Sequence, residues 1–268
     1  MTNCTQLVSE AQAKRLIRQK LGRPYCPRCR RKHYITTLLD GRYCCARCRY
    51  KFSLKVLVGF KHTKLSYLKL LKLIDCFAAT TTLKTAGSIL SVSYPTMRFN
   101  YDKLRQLLPK TVGKVGGDII VDECFVGKKK TGNQRMVAGA VNRAFTQVRL
   151  QPIPDREQHT LEQFLLDHVE IPSMVSTDAH PSYYEITWYG YGHEIDNHDQ
   201  GQLKRTVPIE RVWALFKTLI RRAYHHIWKE SIEKYLVEFV ARFNHRETVS
   251  NPLNLLAYLL LPCSKSLT

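Results

Sequence analysis

Two pairs of cysteines have the spacing that is typical of metal ligands. Cys26 and Cys29 form one Cys-x2-Cys pair, Cys45 and Cys48 form a second, and fifteen residues separate the pairs. Four thiolates at this spacing can surround one zinc ion tetrahedrally, which leaves no position for water. Cys44 is a competing ligand with Cys-x3-Cys spacing to Cys48, but Cys45 repeats the spacing of the first pair. The pattern therefore predicts a structural Zn²⁺ ion held by Cys26, Cys29, Cys45 and Cys48.

Three acidic residues could hold metal ions of a different kind. Asp122 follows the apolar run Ile-Ile-Val, where a charge is costly unless it is paired or binds a metal. Asp178 ends a second predicted strand, and Glu210 lies in the first turn of a predicted helix. Carboxylates that converge from two strands and a helix can hold two Mg²⁺ ions against a phosphodiester. Lys217 lies seven residues after Glu210, on the same edge of the helix, where it could contact the phosphate.

Simpler roles are open for the same acidic residues. Asp178 could cap the turn that follows its strand, and Glu210 could be an N-terminal acid favoured by the helix dipole. Strand alternation places Glu123 on the opposite face from Asp122. Cys124 shares the face of Asp122 and is interpreted as a buried thiol rather than a nucleophile.

The charge of the chain favours a polyanionic partner. The 42 Lys and Arg residues against 22 Asp and Glu give a net charge of +20, which attracts nucleic acids. Six basic residues around the cysteines are predicted to contact DNA phosphates: Arg28, Arg30, Arg31, Lys32, Arg47 and Arg49. A generally solvated basic surface is the simpler alternative.

The sequence also predicts a cytoplasmic protein. The first residues lack the apolar region of a signal peptide, and no apolar run approaches the ~18 residues of a membrane span. Cysteines stay reduced in that compartment. Of the nine cysteines, five lie between Cys26 and Cys48, which favours a metal site over a disulfide framework.

The elements in front of the acidic residues are predicted to form a DNA-binding region. Residues 1–23 are predicted to be an N-terminal helix, residues 24–55 a zinc ribbon with a hairpin at Asp40-Gly41, and residues 56–112 a helix-turn-helix. Ser93 would cap the second helix of that motif. The residues expected at base edges in the major groove are Tyr94, Thr96, Arg98 and Asn100. This helical spacing is also found in ordinary helix packing.

Residues 113–250 are predicted to be a catalytic domain of mixed α/β (α+β) order. Three strands are followed by a helix, a strand and two long helices, over about 208–227 and 231–245. Residues 251–268 are expected to be a C-terminal tail.

The motifs and their order resemble bacterial DDE transposases, most closely the insertion-sequence 1595 family. The resemblance covers the predicted ribbon and helix-turn-helix, then the segments 120–129 (IVDECFVGKK), 176–183 (STDAHPSY) and 209–217 (IERVWALFK). It extends to the segments 224–226 (YHH) and 238–246 (EFVARFNHR). The segment 204–208 (KRTVP) departs from the family pattern before the glutamate.

The resemblance implies an RNase H-like catalytic fold and a transposase that binds insertion-sequence ends, cleaves DNA and transfers the 3′-OH strand. Asp122, Asp178 and Glu210 would be its catalytic metal ligands and Lys217 its phosphate-binding residue. The implied cofactors are two Mg²⁺ ions, with Mn²⁺ as a substitute, and the implied partner is double-stranded DNA. A homodimer or larger assembly on DNA is expected, at the bacterial nucleoid. A non-catalytic DNA-binding regulator derived from a transposase, and a nuclease without a joining step, are the alternatives.

Overall fold

The computed structural model describes residues 9–178, 180–196 and 207–261. Within them the chain forms two compact units, one from residues 9–109 with 246–261 and the other from residues 110–245. Residues 1–8 of the predicted N-terminal helix, residues 204–206 of the departing segment and residues 262–268 of the predicted tail lie outside the described residues.

The first unit begins with a helix and a small antiparallel sheet. Helix α1 (Glu10–Leu21) starts at a capping box in which Ser9 and Gln12 satisfy each other's backbone amides. The sheet has the order β1-β2-β3. Its strands are β1 (Ile35–Thr37), β2 (Tyr43–Cys45) and β3 (Lys51–Phe52). The turn between β1 and β2 contains the predicted Asp40-Gly41, with Gly41 at a φ of +78°.

Helices make up the rest of this unit, numbered here in chain order. They are α2 (Leu54–Leu57), α3 (Tyr67–Ala78), α4 (Leu83–Leu90), α5 (Tyr94–Leu107), α9 (Arg246–Val249) and α10 (Pro252–Leu260). Helix α10 packs against α1 and α3, and its leucines 255, 256, 259 and 260 are buried. The segment expected to be a tail is therefore, as far as Leu261, part of the first unit, because its apolar residues recur at helical spacing and are buried there.

The second unit is a mixed five-stranded sheet with helices. Its strands are β4 (Val115–Lys128), β5 (Asn133–Asn142), β6 (Val148–Ile153), β7 (Val169–Asp178) and β8 (Gly192–Asp196). Their order is β6-β5-β4-β7-β8. The pairs β4–β5 and β5–β6 are antiparallel, whereas β7 is parallel to both β4 and β8. The helices are α6 (Gln158–His168), α7 (Val207–Leu219) and α8 (Ile232–Asn244).

Strand alternation divides this unit into two cores, one on each face of the sheet. Ile119 and Val121 belong to the core that contains the buried residues of α6. Ile120 and Cys124 belong to the core that contains those of α7 and α8. Because side chains alternate along a strand, Asp122 falls on the face of α7 and Glu123 on the face of α6. The mixed sheet with helices on both faces confirms the expected α+β order of this domain.

Two elements differ from the sequence-based expectation. The helix expected to run to about residue 227 is α-helical only as far as Leu219. The next five residues, Ile220–Tyr224, form a π-helix. His225 then adopts a φ of +59°, which turns the chain out of the helical path. The short strand β8 was not predicted, since its five residues show no clear alternation. Within the described ranges, no helix is long and apolar enough to cross a membrane.

Candidate zinc centre and candidate active site

Two matching backbone turns hold the cysteine pairs. The amide of Arg30 donates to the carbonyl of Cys26, and the amide of Arg49 donates to that of Cys45, both at 2.8 Å. Arg30 and Arg49 have φ values of +57° and +56°, a left-handed conformation that closes a tight turn. The two pairs are therefore presented by the same local geometry.

The four predicted zinc ligands lie together. The Sγ atoms of Cys26 and Cys48 are 3.5 Å apart, and those of Cys29 and Cys45 are 3.7 Å apart. All four sulfurs lie within 4.8 Å of one another. A tetrahedral site with Zn–S bonds of ~2.3 Å places its sulfurs ~3.8 Å apart, so this spacing fits one zinc ion. Cys44 is outside the group, which agrees with the preference for Cys45.

Backbone amides act on the first sulfur of each turn. The amides of Cys48 and Arg47 donate to Cys45 and lower the pKa of its thiol to about 7. Burial raises the pKa of Cys26 to about 12, although the equivalent amides of Cys29 and Arg28 act to lower it. Zinc binds the thiolate form, and the amides that point at both sulfurs favour this form.

The six basic residues predicted to contact DNA on the ribbon all have exposed side chains. They are Arg28, Arg30, Arg31, Lys32, Arg47 and Arg49. A further arginine, Arg42, is paired with Asp40 at 2.6 Å. Exposure leaves the six side chains accessible to a phosphate backbone, as the prediction of DNA contact requires.

Helices α4 and α5 form a helix-turn-helix arrangement. Ser91 ends α4 in a left-handed conformation, and Ser93 is the N-cap residue of α5, with its hydroxyl 2.9 Å from that of Thr96. Arg98 is exposed near the start of α5, while Thr96 is half-buried. The expectation that Asn100 contacts bases is wrong. Its side chain is buried and donates to the Thr96 carbonyl at 2.7 Å.

The carboxylate of Asp122 is held by a tryptophan from α7. Trp213 Nε1 donates to Asp122 Oδ2 at 2.9 Å. Burial raises the pKa of Asp122, the Trp213 hydrogen bond acts in the opposite direction, and nearby Asp178 raises it further. The sequence pattern indicated the strand position of Asp122, whereas the contact with Trp213 was not predicted.

Asp178 lies beside Asp122 on the neighbouring strand. The parallel register of β4 and β7 pairs Ile120 with Ser176, and the two aspartates lie two residues further along each strand. Asp178 Oδ1 accepts the amide of His180 at 3.1 Å, so the capping role considered from the sequence is present as well. The sheet therefore brings Asp122 and Asp178 to adjacent positions.

A partly buried ionic cluster on the α6 face connects the two motifs, and sequence reasoning missed it. Arg156 Nη2 lies 2.7 Å from Glu123 Oε2 and 3.6 Å from Asp178 Oδ2. The Tyr183 hydroxyl donates to the other oxygen of Glu123. Burial raises the pKa of Glu123, while Tyr183 and Arg156 lower it. Tyr183 lies within the segment 176–183, but Arg156 comes from an irregular segment that carries no periodic signal.

The remaining predicted site residues lie on α7. Glu210 is exposed in the first turn, three residues before Trp213, and residues three apart lie on the same side of a helix. Burial raises the pKa of the Cys124 thiol, and the nearby Lys217 acts in the opposite direction. Among the described residues, only the four cysteines form a group whose ligand atoms all lie within 4.8 Å. The carboxylate oxygens of Asp122, Asp178 and Glu210 therefore do not all lie within 4.8 Å of one another.

Residues 115–244 match the family model of the ISXO2-like transposase domain. No curated protein matches the chain in sequence.

Solved structures with a similar chain path include integrase catalytic cores. The catalytic core domain of BIV integrase has 13% identity and a TM-score of 0.30, over 46% of this chain and 83% of that one. The HTLV-2 integrase catalytic core domain in complex with magnesium has 18% identity and a TM-score of 0.31, over 46% and 84%. The simian T-cell lymphotropic virus intasome in complex with PP2A regulatory subunit B56 gamma has 16% identity and a TM-score of 0.37. That match covers 65% of this chain and 64% of that one.

Proposed function

We propose that this protein, whose residues 115–244 match the family model of the ISXO2-like transposase domain, cleaves and joins DNA at the ends of an insertion sequence. In the first step, water attacks a phosphodiester, one P–O bond forms and another breaks, and a free 3′-OH and a 5′-phosphate result. In the second step, that 3′-OH attacks a target phosphodiester, forms a new P–O bond and displaces a 3′-OH of the target strand. No co-reactant other than water is needed.

The hydrogen bond from Trp213 to Asp122 carries this proposal. It joins α7, which bears Glu210 and Lys217, to the central strand at the position of the first carboxylate. Asp178 lies at the adjacent position of β7. We assign these three carboxylates as the catalytic acids, approached from two strands and one helix.

The donor chemistry of these residues fits Mg²⁺, with Mn²⁺ as a substitute. Carboxylate oxygens are hard ligands, which Mg²⁺ prefers, and the buried Asp122 carboxylate is costly to ionise without a cation beside it. Asp122, Asp178 and Glu210 would hold the ions. When bound, two such ions would neutralise charge on the phosphate and lower the pKa of water.

The residues of the chain have separate tasks in this scheme. The Trp213 N–H fixes the orientation of Asp122 and favours its ionised form. Arg156 balances negative charge at Asp178 and Glu123. We assign Lys217, on the same helix as Glu210, to a phosphate of the DNA near the cut, where its charge would attract the backbone.

The N-terminal region would supply the DNA binding. A basic ribbon stabilised by zinc and a helix-turn-helix with Arg98 exposed on α5 suit the recognition of element ends. Thr96 and Arg98 are the residues we assign to base edges. Joining requires two ends in one complex, so we propose a dimer or larger assembly on DNA, acting at the bacterial nucleoid.

The test is cleavage of a duplex that carries the ends of the element encoding the chain, with Mg²⁺ present. Asp122→Asn, Asp178→Asn and Glu210→Gln should each lower the cleavage rate at least ~10³-fold, since each removes a ligand charge. End binding, measured by mobility shift, should stay near the unsubstituted level. Unimpaired cleavage by Asp122→Asn would overturn the assignment.

A second assay separates the proposal from a nuclease that does not join strands. A pre-cut end with a free 3′-OH is supplied together with a target plasmid. The proposed function requires joined products that disappear in the Asp122→Asn variant. Binding of the end without cleavage or joining by the unsubstituted protein would instead indicate a DNA-binding regulator.

A further inference from the structure

A basic groove lies beside the far end of β4. It has a volume of about 390 Å³. The charged and titratable residues that line it are Lys128, Lys217, Arg221, His225 and His226, and Phe125 is the lining residue nearest to Asp122 along β4. None of the described residues that line it is acidic. The groove therefore presents positive charge without a compensating carboxylate.

The first wall of the groove depends on a close backbone approach in the β4–β5 hairpin. Gly127 has a φ of +98°, and a Cβ atom there would overlap the Asn133 carbonyl oxygen. Asn133 is buried, donates to the Ile227 carbonyl at 2.8 Å and accepts the Lys229 amide at 2.7 Å. The hairpin thereby fixes the loop that carries the opposite wall.

The opposite wall is built by the π-helix over Ile220–Tyr224 and the turn at His225. Single-turn π-helices are rare and frequently occur at functional sites, and a positive φ at a residue other than glycine costs energy. On the inner side, the Tyr224 hydroxyl contacts both oxygens of the buried Glu238 at 2.8 Å. Arg242 donates to the same carboxylate at 2.8 Å. This anchor holds Tyr224, while His225 and His226 face the groove.

An exposed aromatic side chain flanks the basic residues. Trp228 is 60% exposed, and its ring lies 5.3 Å from the His226 ring in an edge-to-face arrangement. Exposed aromatic rings beside a positively charged groove are the combination that binds unpaired nucleic-acid strands, through base stacking and phosphate contacts.

The groove is close to the proposed catalytic residues. Phe125 lies three residues beyond Asp122 on β4, which corresponds to ~10 Å along a strand. Lys217 belongs both to the groove and to the catalytic set. A strand in the groove would therefore place a phosphodiester within one or two nucleotides of Asp122.

We propose that this groove binds an unpaired stretch of the DNA substrate next to the phosphodiester that is cut. Lys128, Lys217 and Arg221 contact its phosphates, and Trp228 stacks on one of its bases. The inference rests on the proposed function for the identity of the substrate. It adds that the DNA is opened, rather than held as a duplex, on this side of the catalytic residues.

The experiment uses the full-length chain loaded with zinc, without other divalent cations, so that no cleavage is needed. One probe is a blunt duplex, and the other carries an unpaired tail of about six nucleotides, within the usual site size, with 5-iodouracil in the tail. Irradiation should cross-link the tail to the peptide that contains Trp228. Cross-links confined to other peptides would overturn the proposal.

Binding measurements give the second readout. Trp228→Ala should weaken binding of the tailed probe about tenfold and leave binding of the blunt probe unchanged, because the base stack is lost. Arg221→Ala should lower the slope of log K against log salt by about 1 for the tailed probe.

Matched controls come from the same domain. Trp188 is 83% exposed, and Arg222 is exposed on the same π-helix as Arg221, but neither lines the groove. Trp188→Ala and Arg222→Ala should bind the tailed probe as the unsubstituted protein does, and equal losses in these controls would sink the inference. If the protein binds the tail but never cleaves DNA, the proposed function is wrong and the proposal for the groove stands. If it cleaves DNA but does not bind the tail, the proposal for the groove is wrong and the proposed function stands.

Discussion

The indole ring of Trp213 lies directly against Gly139, and a Cβ atom at position 139 would be 2.6 Å from Trp213 Cη2. Gly139 is also the cross-strand partner of Asp122 in the β4–β5 register. Because Gly139 has no side chain, there is space on β5 for the indole ring. The ring N–H then donates to the Asp122 carboxylate. One glycine sets how closely α7 approaches the proposed catalytic strand.

Replacing Gly139 with alanine should displace Trp213 and weaken the Asp122 contact. Leu150 Cδ2 would be 2.9 Å from the added Cβ, so the methyl group meets side chains from two directions. We expect a loss of about 1–3 kcal/mol in unfolding free energy, as is usual for overpacking. The cleavage rate should fall ~10²-fold, because a displacement of about 1 Å at a catalytic group has that effect. Urea unfolding and the cleavage assay measure the two effects.

The double variant Gly139→Ala with Trp213→Phe separates packing from positioning. The smaller ring should restore part of the stability lost in Gly139→Ala. It has no N–H to donate to Asp122, so cleavage should stay low. Recovery of cleavage together with stability would show that the hydrogen bond has no role in positioning the carboxylate.

Arg156 should stabilise the fold through Glu123. The Glu123 side chain is only 3% exposed, and Arg156→Ala would leave its carboxylate buried with Tyr183 as a remaining partner. Removing one member of a fully buried ion pair costs about 3–5 kcal/mol, and the cost is smaller here because the Arg156 side chain is 35% exposed. We therefore expect a loss of about 1–3 kcal/mol in the unfolding free energy, measured with urea.

The companion variant for this pair is Glu123→Gln in the Arg156→Ala background. Glutamine carries no charge to desolvate, so the double variant should be more stable than Arg156→Ala alone. A double variant that is no more stable than Arg156→Ala would mean that the ion pair does not account for the loss.

Cys45 and its neighbour Cys44 offer a matched test of the zinc centre. Cys45 belongs to the sulfur group and Cys44 does not. Cys45→Ser should lower the zinc content, measured by mass spectrometry of the metal, from about one ion per chain toward zero. Ribbon folding should fail with it, since metal binding supplies the folding energy of such small modules. Cys44→Ser should keep its zinc, and similar zinc loss in both variants would contradict the ligand assignment.

The sequence was informative where spacing or periodicity determines geometry. The Cys-x2-Cys repeat predicted the sulfur group, and the strands predicted to lead to Asp122 and Asp178 are both present. It was uninformative where the geometry depends on tertiary contacts. Nothing in the periodicity of α7 shows that Trp213 reaches Asp122 across Gly139, because that contact depends on how closely the helix packs on the sheet.

Two further errors have the same origin. Asn100 occupies a plausible base-contacting position in α5, but its side chain is buried and bonded to the preceding turn. Arg156 lies in an irregular segment, and only the folded sheet brings it to Glu123 and Asp178. Local sequence patterns do not predict which face of a short helix is buried by other elements. They also do not predict which residues a loop side chain contacts.

The first unit contains a pH-dependent contact that can be tested apart from the catalytic domain. The carboxylate of Glu10 on α1 accepts the amides of Tyr67 and Leu68 at 2.7 and 2.9 Å, and so caps the first turn of α3. Partial burial raises the pKa of Glu10, but the amides of Leu68 and Tyr67 act against it and the result is a lowered pKa.

A carboxyl group whose pKa is lower in the folded state than in the unfolded state contributes stability above its unfolded pKa. That contribution is lost as the pH falls through the folded pKa. Glu10→Ala should therefore cost about 1 kcal/mol at neutral pH, as loss of a helix cap does. The difference from the unsubstituted protein should shrink as the solution is acidified below the ordinary carboxyl pKa. Hydrogen exchange at the amides of Tyr67 and Leu68 measures this locally, and zinc loss at low pH affects both proteins alike. A stability difference that stays constant down to strongly acidic pH would show that the Glu10 charge does not cap α3.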